Sequence, residues 1–120
     1  MKPNDFEKHI LETYGVSAEH PWPEYPHHAV FRHQNNRKWF AVMMHLPAEK
    51  IGLPSGGEVD VVNLKCDPLL LGSLLLENGI HRASHMNKNH WITVRLDGSL
   101  PMEKIGWLLD LSFDLTNKKR

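Results

Sequence analysis

Cysteine is almost missing from this chain of 120 residues: Cys66 is the only one. No intrachain disulfide can form, a zinc site built from several thiolates is excluded, and a reducing, cytoplasmic setting is expected. Net charge is missing too. The 14 Lys and Arg residues balance 14 Asp and Glu residues. That excludes a uniformly basic, tail-like nucleic-acid binder and leaves room only for a local basic patch. Long apolar runs are lacking. The longest block, Leu69 to Leu76, is broken by Gly72 and Ser73, and a membrane span needs about 18 or more such residues. The first ten residues are mixed in charge and have no apolar stretch, so they do not read as a signal peptide. No membrane association is expected. Neither a repeat nor a low-complexity tract is visible.

Catalytic signatures are equally scarce. Gly52-Leu53-Pro54-Ser55-Gly56 is not a nucleophile elbow, because the serine is not the central residue of a G-x-S-x-G run. Ser55-Gly56-Gly57 is followed by Glu58 rather than by Gly-Lys-Ser/Thr, so it reads as a flexible turn and not a phosphate loop. Asp110 and Asp114 lie one helical turn apart, which suits the solvated face of a helix. Cys66 directly precedes a predicted helix start, where the dipole would lower a thiol pKa, but nothing in its neighbourhood resembles a cysteine-protease motif. Nine histidines raise the question of a metal. His27-His28 and the set His81, His85 and His90 are the densest groups, yet the segment holding the latter contains no carboxylate and no helical pattern. No catalytic residue, metal ligand or cofactor site is assigned, and a non-enzymatic binding protein is expected.

What is present is ordinary globular composition, 41% hydrophobic and 23% charged, which one domain over residues 1–120 accommodates. Phe6, Ile10, Leu11 and Tyr14 share a helical face, Asn4 with Glu7 fits a capping box, and Gly15 marks the stop. Pro21, Pro23 and Pro26 make 16–26 a loop. Residues 28–33 and 38–46 read as a hairpin turning at Gln34-Asn35-Asn36-Arg37. The second strand is apolar on both faces and should lie inside the sheet. Residues 47–57 form a loop, and 58–65 form a third strand pairing with the second. Asp67-Pro68 opens a helix expected to run to Asn78, with leucines all round its axis and therefore buried on more than one side.

Residues 80–90 look irregular. Residues 91–96 alternate, with Ile92, Val94 and Leu96 inward and Trp91, Thr93 and Arg95 outward. A last helix opens at Pro101 with a core stripe of Met102, Ile105, Leu108, Leu109, Ser112 and Leu115. The expected class is α+β, an antiparallel sheet with helices packed on it, in the order α-β-β-β-α-β-α.

Base is unevenly spread. Residues 1–30 carry an excess of acid and residues 31–66 an excess of base. Arg32, Arg37 and Lys38 gather at the first hairpin, and Lys88, His90 and Arg95 at the last strand. Protruding hairpins with such residues can lie along phosphates. The five Arg and Lys residues among these are expected on one face or at neighbouring tips. Trp91 is expected buried and His90 exposed.

Four segments then come in a telling order: Lys38-Trp39-Phe40-Ala41, Asn87-Lys88-Asn89-His90-Trp91-Ile92-Thr93-Val94, Asp97-Gly98-Ser99-Leu100-Pro101 and Ser112-Phe113-Asp114-Leu115. Together they resemble the MmcQ/YjbR family of small bacterial proteins. Trp39 stands where the family more often has a smaller residue, and Phe113 where Tyr is commoner. The resemblance implies a CyaY-like α+β fold with two hairpin wings and DNA as partner. Arg32, Arg37, Lys38, Lys88, His90 and Arg95 are the residues placed to bind it. The alternative is a module that binds a small ligand or protein in a cleft beside Trp22, Trp39, Trp91 and Trp107. A monomer is expected, with Trp107 and Leu111 covering the leucine helix; failing that, a homodimer forms through Leu69–Leu76.

Overall fold

The computed structural model describes residues 2–54 and 56–117. Its elements are α1 (Pro3–Tyr14), β1 (Ala29–Arg32), β2 (Trp39–Pro47), β3 (Glu58–Lys65), α2 (Pro68–Leu74), β4 (Ile80–Arg82), β5 (Trp91–Arg95) and α3 (Met102–Thr116), with a 3-10 turn at Ala48–Ile51. One antiparallel sheet has the order β1-β2-β3-β5-β4. The α+β class holds. One strand is added to the sequence expectation: Ile80–Arg82 is an edge strand against β5, not irregular chain. Three residues are too short for alternation to show.

Local signals explain most boundaries. Gly15 sits at φ 71°, where only glycine is unstrained, and its N–H closes α1 on the Leu11 carbonyl. At the other end, Lys2 rather than Asn4 is the cap, and its N–H donates to Asp5. Asp67 caps α2 by accepting the Leu69 N–H at 2.9 Å. β1 joins β2 with an irregularity at Phe31/Arg32, which locally changes the register.

Phe6 and Ile10 of α1 and Ile105, Leu108 and Leu109 of α3 bury one face of the sheet, against Phe31, Met43, Val62, Leu64, Ile92 and Val94. Met102, expected in that stripe, is exposed, while Thr116 is buried. α2 departs most from expectation. It is only 7 residues long. Leu74 is buried, but Leu69 and Leu76 are 90% and 87% exposed. Leucine spacing alone does not bury a short helix at the rim of one sheet. Trp107 is 46% exposed and lies under the Lys104 ammonium at 4.7 Å, which in turn pairs with Glu77.

Ser112 couples α3 to two strands at once. Its hydroxyl donates to the Phe40 carbonyl at 2.6 Å and accepts the Lys65 N–H at 2.8 Å. In Ser112→Ala both backbone groups lose that partner in a buried setting. We expect a loss of about 2 kcal/mol, read as a lower urea midpoint with an unchanged slope. An unchanged midpoint would remove this strut from the account.

Candidate functional site

Among the described residues the second face of the sheet carries no α-helix; the 3-10 turn at Ala48–Ile51 packs on it. Val30, Val42, Met44, Leu46, Val59 and Val61 on it are nevertheless buried, because loops fold across it. Trp22 of the 16–28 loop and Met86 of the 83–90 loop pack on this face. A polar relay fixes the second loop. Asn63 donates to the Ser84 carbonyl at 2.7 Å, the Thr93 hydroxyl donates to the Asn63 side-chain oxygen at 2.5 Å, and the Ser84 N–H donates to Thr93 at 3.0 Å. Thr93, expected to face solvent, is therefore fully buried.

At one end of this face the register lines up Arg32 beside Trp39 and Lys65 beside Trp91. The Arg32 guanidinium stands 5.5 Å from the Trp39 ring centre, and the Lys65 ammonium 6.0 Å from that of Trp91. Lys38 directly precedes Trp39, and Lys88 and His90 lie in the loop that leads into Trp91, so their backbones sit at this end, while the Lys88 side chain turns to the Ala83 carbonyl. Lys38, Lys88 and His90 are exposed; Trp91 is half-buried rather than buried.

Arg32 and Arg37 are both engaged by Glu19, at 3.0 and 3.1 Å. Burial works against the Glu19 charge, but the hydrogen bonds from these two arginines hold its carboxyl below the usual range. The pair is sequence-distant, which hid it. Arg95 lies at the opposite end of β5, pairs with Asp97 at 3.1 Å and also bonds Ser99. The six candidate residues thus divide into five at one sheet end and Arg95 apart from them. The first hairpin is also no free wing: Asn36 donates to the Thr116 carbonyl at 2.9 Å, Asn35 to Asn117 at 3.1 Å and Gln34 to the Gly15 carbonyl at 3.2 Å. His33 beneath them is buried and bonds the Thr116 hydroxyl at 2.7 Å.

Between the two loops lies a cavity of about 490 Å³. Trp22 and Trp39 line it edge to face at 5.9 Å, with Val42, Met44 and Met86 as apolar walls. Trp91 and Trp107 are not among its lining residues, so the four-tryptophan cleft reduces to two. His28 at its edge stacks on Tyr25 and leaves Nδ1 buried without a partner. Its pKa is depressed by burial and then by the neighbouring His85, His45 and His27. His45 is held between Glu58 at 3.2 Å and Asp60 at 2.7 Å.

Other sequence candidates resolve simply. Cys66 is buried, and burial followed by the Asp67 charge pushes its thiol up, opposite to the activation expected at a helix start. Asp110 receives the Tyr14 hydroxyl, and burial plus that bond raises the Tyr14 pKa. Ser55 lies outside the described residues. Among the described residues no three metal-ligating side chains converge, and no helix is long and apolar enough to cross a membrane.

The YjbR family model matches residues 11–115. The chain belongs to the YjbR family. It is 41% identical over 112 residues to the uncharacterized protein YyaQ of Bacillus subtilis, covering 93% of this chain and 95% of that one. It is 47% identical over 53 residues to the uncharacterized protein YjbR of Escherichia coli K12, covering 43% of this chain and 45% of that one. A crystal structure of a Pseudomonas syringae protein superposes with a TM-score of 0.96 at 46% identity, covering 98% of this chain and all (100%) of that one. A Deinococcus radiodurans protein of 26% identity superposes at 0.71, covering 97% of this chain and 78% of that one. The family fold is therefore the fold described above.

His28, His33 and His81 all have depressed pKa values, with burial the first cause in each. In the unfolded chain they regain ordinary values of about 6.5. Their contribution is complete above that value and is lost as pH falls through the folded values, because the unfolded state then binds more protons. The urea midpoint should fall between about pH 7.5 and about pH 5.5; a midpoint that rises over this range would contradict the buried neutral assignment.

Proposed function

We propose that this YjbR-family protein binds DNA through the aromatic and cationic strip at one end of its sheet, and acts by binding rather than by catalysis. The carrying observation is the row formed by Arg32, Trp39, Lys65 and Trp91 across four neighbouring strand ends. Cations neutralise phosphates, and half-exposed indole rings offer faces on which bases stack. Lys38, Lys88 and His90 extend the strip; Lys88 spends one of its three donors on the Ala83 carbonyl at 2.8 Å, which steadies it without removing its charge. Arg32 and Arg37, being paired to Glu19, orient the hairpin more than they supply free charge. Arg95, bound to Asp97, stands outside the strip.

The strip reconciles zero net charge with an anionic partner. Phosphate contacts are local, and acids such as Asp110 and Asp114 lie on α3, in the helical layer that covers the opposite face of the sheet. Few unpaired cations also mean modest affinity and little sequence readout.

Fluorescence anisotropy with a labelled DNA 20-mer, single-stranded and duplex, at several salt concentrations tests this. Binding should weaken steeply with salt. Lys38→Gln with Lys88→Gln should reduce the log–log salt slope by about 2, and Arg95→Gln should leave it unchanged. Salt-independent binding, no binding at low salt, or equal loss in the Arg95 variant would refute the reading.

A further inference from the structure

A second concavity adjoins the tryptophan-lined cavity. It has a volume of about 550 Å³ and lies between the 48–52 turn and the segment 80–88. Its side chains include Lys50, His81, Arg82, His85 and Lys88, and no carboxylate is among its described lining residues. Lys50 and His85 line both concavities, so the two are immediate neighbours. Among the described residues neither Lys50, Arg82 nor Lys88 is paired with a carboxylate. Like charges gathered without a counter-charge raise the energy of the fold, and a bound anion lowers it.

Two further features point to a ligand. The Nε2 atom of His81 is buried without a hydrogen-bond partner, a state that costs free energy unless something fills the space. Burial, then the Arg95 charge, favours the neutral ring, whose one N–H is drawn to the Ile51 backbone, so that Nε2 is left as an acceptor. His85, at the junction, has φ 67°, a left-handed conformation rarely adopted by a non-glycine residue and enriched at sites of binding.

We propose that the two concavities form one site for an aromatic phosphate of nucleotide size. The planar ring enters between Trp22, Trp39 and Met86, where flat apolar surface and aromatic edges receive it. The phosphate lies among Lys50, Arg82 and Lys88, with a phosphate hydroxyl donating to His81 Nε2. This site overlaps the DNA strip only at Trp39 and Lys88: Lys38, Lys65, His90 and Trp91 line neither concavity, and Met86, Lys50 and His81 are no part of the strip.

The test is titration of the 15N-labelled protein with AMP, adenosine and inorganic phosphate, followed by NMR. AMP should bind about tenfold more tightly than either half, with the largest shifts in residues 22–52 and 80–88. Lys50→Gln with His81→Asn should bring AMP down to the adenosine value, and Met86→Trp, which fills the ring cavity, should bring it down to the phosphate value. Wild-type-like spectra of both variants show that the fold persists. No AMP binding, AMP binding no tighter than adenosine or phosphate, or binding insensitive to Met86→Trp would each overturn the proposal. DNA binding unaffected by Met86→Trp is expected, so either reading can fail without the other.

Discussion

The relay from Asn63 through Thr93 to Ser84 holds the molecule's second face together. Helices cover one side of the sheet; on the other, Val42, Met44 and Val61 would stand in water. Two loops and the 3-10 turn cover them instead, and a loop has no apolar stripe long enough to hold itself down. A buried side-chain amide and a buried hydroxyl do so by pairing with each other and with the Ser84 backbone. Polar groups at 0% exposure are tolerated here only because their capacity is used internally. The Trp39 cavity, the cationic concavity beside it and the strip at the sheet end all depend on where that loop lies.

Much of this was legible in the amino-acid order, and the reasons differ by element. Gly15, Asp67-Pro68 and the alternation of Ile92 and Val94 are local signals, and each boundary they mark is found. Leu69 and Leu76 misled because a run of leucines reports apolarity without saying whether a neighbour exists to cover it. β4 escaped notice because its pairing partner, not its own three residues, makes it a strand. Thr93 looked like a surface residue since threonine at an outward position normally is one. Only the meeting of β3, β5 and the 83–90 loop gives it partners.

The charge pattern shows the same division. The clustering of base near the first hairpin is visible along the chain, but its neutralisation is not, because Glu19 lies 13 and 18 residues from its two arginines. Conversely Lys65, part of the basic excess of residues 31–66 but not among the binding candidates, joins the strip because β3 ends beside Trp91. Lys50 and Arg82 come together only when the 3-10 turn folds beside the edge strand. Sequence proximity therefore overstated the role of the arginines and hid the lysines.

The central claim, that the relay fixes the 83–90 loop on the open face, is tested most directly by amide hydrogen exchange at Ser84. In the wild type this N–H should exchange as slowly as the β3–β5 ladder amides. In Thr93→Val it should exchange like a solvent-exposed loop amide while the ladder stays protected. Rapid exchange at Ser84 in the wild type, or protection unchanged in Thr93→Val, would contradict the account.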